Sequence, residues 1–214
     1  MLSEKYQVTV QQLNSMFQKL DDELFGGNLQ SDDRRSVVTI QAKGKHNAYG
    51  WCSSAPRWTD DAEMAFEINM SAEYLNRPLI ETLGTLIHEM VHLDNIFMDI
   101  KDTSRKGVYH NKRFKSAAEA VGLEVTESEK HGYAHTNVTE TLRERLGAMF
   151  GADKLDVPLG LERVGDLAQG LKVKTKKKMA HYFCPDCGQE FKTNKAGLSL
   201  TCNLCDTQME EEEQ

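Results

Sequence analysis

The stretch PLIETLGTLIHEMVHLDNIF, residues 78–97, carries the clearest helix pattern in the chain. Pro78 suits the first position of a helix, because the N–H that proline lacks would have no partner there. A broad apolar stripe at helical spacing follows, formed by Leu79, Leu83, Leu86, Ile87, Met90 and Val91. The stretch therefore predicts a helix that packs one face into the hydrophobic core.

Two histidines and a glutamate interrupt this apolar helix. His88 and His92 are four residues apart, so both imidazoles project from the same helix face and can reach one Zn²⁺ at roughly 2.0–2.1 Å. Glu89 directly follows the first of them, where it can take a proton from a water that the metal activates. A chance match would usually fall in a polar loop, whereas an unpartnered set of these side chains would be costly to bury here. The spacing therefore predicts the catalytic zinc site of a hydrolase.

A catalytic zinc site also needs a third protein ligand and an open coordination position. The downstream candidates are His110, Glu119, His131 and His135. His110 begins a predicted helix and can reach back across the first one, whereas Glu119 lies on an alanine-rich helical face and fits better as a solvated charge. His131, Tyr133 and His135 either line the cleft, where one could stabilise an oxyanion, or belong to a polar loop, the interpretation that we favour.

Four of the five cysteines form two close pairs near the C-terminus. Cys184 and Cys187 are separated from Cys202 and Cys205 by fourteen residues, in the pattern CPDCG followed by CNLCD. Two such pairs fit a closed tetrahedral Zn²⁺ site, and at this length the metal must supply much of the folding energy. We therefore predict a structural zinc ribbon over residues 179–207.

Residues 68–97 followed by YHNKRFK, residues 109–115, resemble the SprT-like (Spartan-related) zinc metalloproteases. LFGGNL at the end of the first predicted helix and the terminal cysteines resemble the family as well, so the likeness covers most of residues 10–125 and returns at 184–205. It implies the metal ligands His88, His92 and His110, the catalytic acid/base Glu89, and cleavage of DNA-bound or DNA-crosslinked proteins. Asn111 stands where the family commonly has glycine, and asparagine tolerates unusual backbone angles.

The formal net charge of −7 excludes a surface that is basic all over, so nucleic-acid binding requires a local patch. Five lysines precede the cysteines, namely Lys172, Lys174, Lys176, Lys177 and Lys178. Against single-stranded DNA they would give a log–log salt slope of at most about −3.5, which is weak and independent of sequence. The alternative is a solvated linker, and the family resemblance favours DNA.

The apolar and polar pattern of the rest of the chain predicts an α+β fold in which a small antiparallel sheet packs with helices. Three short strand candidates lie between residues 34 and 69, with GKHN as a hairpin between the first two. Further helices are predicted at 8–25, 111–121 and 138–150, the last with Asn137 and Glu140 in capping-box spacing. The expected organisation is a protease domain over 1–150, a linker with the basic segment over 151–178, the ribbon, and an acidic disordered tail over 208–214.

These patterns favour a zinc endopeptidase that is recruited to DNA and cleaves bound proteins. Two alternatives stay open, a zinc-stabilised nucleic-acid-binding or regulatory protein with a vestigial peptidase site, and a zinc peptidase without any DNA role. The N-terminus lacks the pattern of a signal peptide and no stretch is apolar enough to span a bilayer, so a cytoplasmic location without membrane contact is expected.

Overall fold

The computed structural model describes residues 1–31, 33–43, 47–60, 62–164 and 180–212. The chain divides into two compact units, Met1–Val164 and Gly165–Gln214. Small sheets and helices make the fold mixed α+β, as predicted. Among the described helices, none is long and apolar enough to cross a membrane.

The first unit contains four α-helices and eight strands among its described residues. In chain order they are α1 (Leu2–Leu20), which continues as a π-helical turn over Asp21–Phe25, β1 (Ser36–Gln41), β2 (Gly50–Cys52), β3 (Trp58–Thr59), β4 (Met64–Ser71), α2 (Leu79–Phe97), β5 (Thr103–Ser104), β6 (Tyr109–His110), α3 (Lys112–Ala120), β7 (Leu123–Ser128), β8 (Gly132–Val138) and α4 (Glu140–Phe150). The helices predicted around α2, α3 and α4 are confirmed, and α1 begins six residues earlier than its apolar pattern indicates.

The first sheet has the order β1-β4-β2, with β3 also paired to β4. β1 runs parallel to β4, whereas β2 and β3 run antiparallel to it. The predicted all-antiparallel sheet is therefore wrong, and so is the predicted hairpin between β1 and β2, because β4 lies between them. The parallel register places Val38 beside Ile68 and Ile40 beside Met70, which makes one continuous apolar face.

A second sheet, in the order β5-β6-β8-β7, lies in a region where the sequence predicts a polar loop. That prediction is wrong, because residues 132–138 form β8 and pair with β7 along its length. Gly132 makes the contact with β6 possible: a Cβ there would lie 2.2 Å from the His110 carbonyl oxygen, and its φ is +63°. The His110 N–H donates to the His131 carbonyl across this contact, at 3.0 Å.

Residues 151–164 pack on the first unit, so that unit extends beyond the boundary predicted at residue 150. Leu155, Leu159 and Leu161 are buried in its core. The Ile80 N–H donates to the Leu155 carbonyl at 2.8 Å, which joins the segment to the start of α2. The rest of the predicted linker, 165–178, lies outside the described residues.

The described part of the second unit is a three-stranded sheet in the order β10-β9-β11. Its strands are β9 (Ala180–Phe183), β10 (Glu190–Thr193) and β11 (Glu210–Glu211). β11 belongs to the tail predicted as disordered, so the structure differs from that prediction as far as residue 212. The Glu211 carboxylate accepts hydrogen bonds from the Tyr182 hydroxyl and the Gly197 N–H, both at 2.8 Å, and these contacts explain why the tail is ordered there.

Candidate metal centre

Helix α2 carries three polar side chains of the candidate site beside a buried apolar stripe. His88 and His92 are half-buried, and Glu89 is only 7 % exposed. Leu86, Ile87 and Met90 have no exposed surface, so the helix is held firmly in the core. The burial of that stripe fixes the direction in which the polar residues project.

His110 reaches the same place from β6. The nitrogen that it presents, Nε2, lies 3.3 Å from Nε2 of His88 and 2.9 Å from Nε2 of His92. In a tetrahedral zinc site with Zn–N bonds of about 2.0–2.1 Å, neighbouring nitrogens lie roughly 3.3–3.4 Å apart. The separations in this three-histidine cluster (His88, His92 and His110) are close to that spacing, so the residues present fit a metal ion.

Two of the three imidazoles are oriented by hydrogen bonds at their other nitrogen. Nδ1 of His92 lies 2.6 Å from an Asp102 carboxylate oxygen, which also accepts from the Asn95 side chain at 3.1 Å. Nδ1 of His88 lies 3.0 Å from the Thr136 hydroxyl. Such partners hold the proton on Nδ1 and leave the lone pair of Nε2 for a metal. In contrast, Nδ1 of His110 is buried without a hydrogen-bond partner among the described residues.

Sequence reasoning missed Asp102 and Thr136. Asp102 lies ten residues after His92, beyond the end of the helix, and Thr136 lies in β8, which the sequence predicts as a loop. Neither position has a spacing that links it to a metal motif. Only the folded chain brings them next to the histidines.

Phe114 of α3 forms the floor of the cluster. Its ring is fully buried, and its centroid lies 4.6 Å from the centroid of each of the three imidazole rings. Burial, with the other histidines, lowers the pKa of His88 well below its ordinary value and that of His110 to about 4. Both imidazoles are therefore neutral near pH 7, which is the form that binds metals.

Glu89 occupies a buried position beside this cluster. Burial is the main cause that raises its pKa to about 7, and Asp102 adds to the effect, while His92 and the Cys52 N–H act against it. Gly50 allows β2 to pass close by, because a Cβ there would lie 2.9 Å from the Asn69 carbonyl oxygen and 3.2 Å from Glu89 Cγ. The carboxyl group is thus enclosed between α2 and the edge of the first sheet.

The other sequence candidates are not part of the cluster. Glu119 is exposed and forms an ion pair with Lys115 at 3.7 Å. The His131 carbonyl accepts from the His110 N–H and its imidazole helps to lower the pKa of His110, but His131 is not one of the three clustered ligands. His135 is exposed on β8. The lysines at 172, 174, 176, 177 and 178 lie outside the described residues.

Asn111 has a structural role that differs from the one expected for it. Its φ is −95°, so no unusual backbone angle is needed at this position. Its side-chain oxygen caps α3 by accepting from the Arg113 and Phe114 N–H groups, and its amide donates to the Lys101 carbonyl at 2.9 Å. Asn111 therefore fixes the junction between His110 and the helix that carries Phe114.

The four paired cysteines form a second candidate metal site. Their sulfur atoms all lie within 4.8 Å of one another, and Sγ of Cys187 is 3.7 Å from Sγ of Cys202. A tetrahedral site with Zn–S bonds of about 2.3 Å would separate neighbouring sulfurs by roughly 3.8 Å. Gly188 and Asp206 occupy matching positions, with φ of +71° and +56°, so both cysteine turns have the same left-handed conformation.

Three convergent imidazoles in an α+β unit define a candidate metal-binding domain. The model of the SprT-like family matches residues 13–141, which is more than half of the chain, and the chain therefore belongs to the SprT-like family. Comparison with curated proteins gives no match. The family match ends before the cysteines, so it carries no information about the second site.

Proposed function

We propose that the chain is a zinc-dependent endopeptidase, with a catalytic zinc held by His88, His92 and His110. The observation that carries this proposal is the convergence of three Nε2 atoms beside the buried carboxyl group of Glu89. Membership of a metalloprotease-like family supports it. The vestigial-site alternative is less favoured, because a purely structural metal would have no use for a buried glutamate, which is costly to the fold.

Zinc bound at this cluster would act as a Lewis acid that activates a water and polarises the peptide carbonyl. Glu89 takes the proton from the attacking water and passes it to the leaving amine. A pKa of about 7 suits both transfers, because a group that works near its pKa can accept and return a proton. Asp102 and Thr136 keep two imidazoles in the orientation that the site requires.

The second part of the proposal is that Cys184, Cys187, Cys202 and Cys205 hold a structural zinc in a ribbon. The sulfur spacing and the two matching turns support this assignment. Four thiolates close the coordination shell and leave no open position for chemistry. The ribbon therefore has a structural or recruiting role, separate from catalysis.

The third part concerns the substrate. The ribbon and the lysines at 172, 174, 176, 177 and 178 would bring the protease to DNA, where it cleaves bound or crosslinked proteins as part of DNA repair. This step rests on the family resemblance and the run of positive charge in the sequence. We further propose that the enzyme works in the cytoplasm without contact to a membrane.

The mechanism is tested by changing Glu89 to Gln in the zinc-loaded protein and following cleavage of a DNA-binding protein on gels. We expect activity to fall by at least about 100-fold, since general acid–base catalysis is lost. Glu119→Gln is the matched control, because it removes an exposed carboxylate outside the cluster. Wild-type rates in Glu89→Gln would refute the assigned role.

Recruitment is tested separately, by measuring the same cleavage with and without single-stranded DNA. We expect DNA to accelerate cleavage, and changing the five lysines to glutamine to reduce that acceleration. Equal rates with and without DNA would favour the peptidase without a DNA role. Metal analysis addresses the vestigial-site alternative: we expect two zinc ions per chain, one of them labile to a chelator, whereas that alternative predicts no labile zinc.

A further inference from the structure

The described part of the second unit, residues 180–212, is strongly acidic, and we call it the cysteine unit. It contains six aspartates and glutamates against two lysines, Lys192 and Lys195. A thiol that binds zinc is deprotonated, so four thiolates around one divalent ion would add two further negative charges. His181 offsets at most one charge, because Glu212 and Glu190 contact its two ring nitrogens at 2.5 Å and 3.1 Å. The cysteine unit therefore attracts cations and repels a phosphate backbone.

The same unit contains a groove with apolar walls. Its volume is about 200 Å³, and Phe191, Leu200 and Met209 supply the apolar side chains. Phe191 is 47 % exposed, whereas Tyr182, its pairing partner on β9, is buried. A cavity of about 150 Å³ can hold a benzene molecule, so this groove is large enough for one apolar side chain. Phenylalanine and methionine are also residue types that are enriched where proteins contact one another.

Negative charge and apolar surface meet at this groove. Glu190 forms part of its wall, and the carboxylate already lies 3.9 Å from the Lys192 ammonium group. Asp206 and Glu210 of the same unit are exposed. An occupant that matches both properties has lysine or arginine on either side of an apolar residue. The buried apolar side chain would supply most of the affinity, and the complementary charge would steer the partner to the groove.

We propose that the groove of the cysteine unit binds a lysine- or arginine-rich segment of a protein through an apolar side chain flanked by basic ones. Proteins that are bound to DNA carry basic segments, because they neutralise phosphates with lysine and arginine. The cysteine unit then holds the protein that is to be cut, while the five lysines that precede it face the DNA. This inference rests on the structural zinc proposed above, and it gives the cysteine unit a protein partner in place of DNA.

The test is the binding of a fluorescently labelled twelve-residue peptide, Lys-Lys-Leu-Lys repeated three times, to the zinc-loaded full chain. Two control peptides replace every leucine by serine or every lysine by glutamate. We expect the serine peptide to bind at least about fivefold more weakly than the leucine peptide, and the glutamate peptide not to bind. Equal binding of the leucine and serine peptides would reduce the interaction to charge alone and overturn the role of the groove.

Two variants separate the charge of the surface from its apolar part. Glu190→Gln/Asp206→Gly/Glu210→Gln removes three charges, and glycine suits the φ of +56° at residue 206 better than aspartate does. Phe191→Ala removes the aromatic wall of the groove. We expect each variant to weaken binding of the leucine peptide by about 10-fold. Wild-type affinity in both variants would overturn the proposal.

Each variant has a matched control. Glu124→Gln/Glu129→Gln/Glu144→Gln removes three exposed acids of the first unit. Leu204→Ser changes a leucine of the cysteine unit that is 73 % exposed and lies outside the groove. Both controls should keep the affinity of the wild type, and losses equal to those of the groove variants would overturn the proposal.

Amide NMR of the wild type locates the bound peptide without any substitution. We expect the leucine peptide to shift the signals of Phe191, Leu200 and Met209, and unchanged signals there would overturn the proposal. Single-stranded DNA is added alone to a second sample, and shifts of the same three residues would mark a nucleic-acid site instead. Peptide binding that appears only after the five lysines are changed to glutamine would assign the groove to the chain's own segment. Either result would overturn the assignment to a partner protein.

These measurements separate the proposal from the enzyme activity. Binding is followed without any cleavage step, so a failure here leaves the endopeptidase proposal intact, and an inactive enzyme leaves the binding result intact. The zinc content of the same samples shows separately whether the cysteines hold their metal.

Discussion

At the scale of one residue, the buried carboxyl group of Glu89 serves the candidate site but lowers the stability of the fold. Burial is the main cause that raises the pKa of Glu89 from 4.5 to about 7 in the folded chain. Between these two pH values the folded chain therefore keeps a proton that the unfolded chain has released. Stability from this group is present at pH values below 4.5 and is lost as the pH rises through about 7. A buried carboxylate thus destabilises the metal-free protein at the pH where an endopeptidase would work.

Replacement of Glu89 by Gln should therefore stabilise the metal-free protein at high pH. We expect an increase in the free energy of unfolding of up to about 3 kcal/mol at pH 8, because glutamine stays neutral when buried. The difference should shrink towards zero near pH 4.5. Urea unfolding of chelator-treated protein at both pH values measures it, with Glu119→Gln as the exposed control. A difference in the free energy of unfolding between variant and wild type that does not change with pH would contradict this account.

Asp102 is the second residue whose contribution, here to zinc binding, can be measured alone. Its carboxylate fixes the orientation and tautomer of His92, and an asparagine in its place would keep the volume but lose the charge. We expect Asp102→Asn to weaken zinc binding at the three-histidine cluster by about 10–100-fold. Competition with a chromogenic chelator at pH 7.5 measures the affinity directly. Thr136→Val, which removes the neutral partner of His88, should weaken binding less, and the reverse order would refute the assignment.

At the scale of elements, Asn111 joins β6 to α3. Its side chain caps the helix and also holds the Lys101 carbonyl, so it supports both His110 and the Phe114 floor. We expect Asn111→Ala to lower the free energy of unfolding by about 1 kcal/mol and Asn111→Gly by only a few tenths. The same urea experiment on zinc-loaded protein measures both. A glycine variant less stable than the alanine variant would show that capping is not the role of this residue.

The elements that the sequence predicts well are those whose pattern is local. The apolar stripe of α2 repeats within one helix, so the common direction of His88 and His92 follows from spacing alone. Strand order depends instead on contacts between distant residues, and the parallel pairing of β1 with β4 has no local signal. The same holds for Asp102, which reaches His92 only because the chain turns back after α2.

β8 illustrates a second reason why a prediction from the sequence fails. Its residues mix polar and apolar side chains, and those after the buried Gly132 and Tyr133 alternate between half-buried and exposed positions, so neither turn nor strand chemistry dominates the sequence of this segment. Pairing with β7 and the close contact at Gly132 determine the conformation. His110 could be proposed as a ligand from resemblance, but its approach through a parallel contact with β8 could not be derived from spacing.

At the scale of the whole molecule, the two units differ in what stabilises them. The first has an extensive core, whereas the buried residues between 180 and 212 are Tyr182, Cys184 and Cys202. One large buried side chain cannot offset the conformational entropy of so many ordered residues. We therefore expect the second unit to depend on the metal that its cysteines would bind.

Removal of zinc should accordingly unfold one unit and leave the other folded. We expect a strong chelator to collapse the amide NMR dispersion of residues 180–212 while residues 1–164 keep theirs. Zinc addition should restore the lost signals. Dispersed signals from the cysteine region in metal-free protein would contradict the structural role of the metal.

The extent of the first unit leads to a prediction about its boundary. Leu155, Leu159 and Leu161 are at most 8 % exposed, and each contributes about 2 kcal/mol by burial before the entropy of ordering the segment is subtracted. A fragment of residues 1–164 should therefore unfold at a clearly higher urea concentration than one of residues 1–150. Leu155 is the least exposed of the three. Leu155→Ala in the longer fragment should therefore remove part of the difference between the two urea midpoints. Equal midpoints for the two fragments would mean that the segment after α4 only covers the core and does not stabilise it.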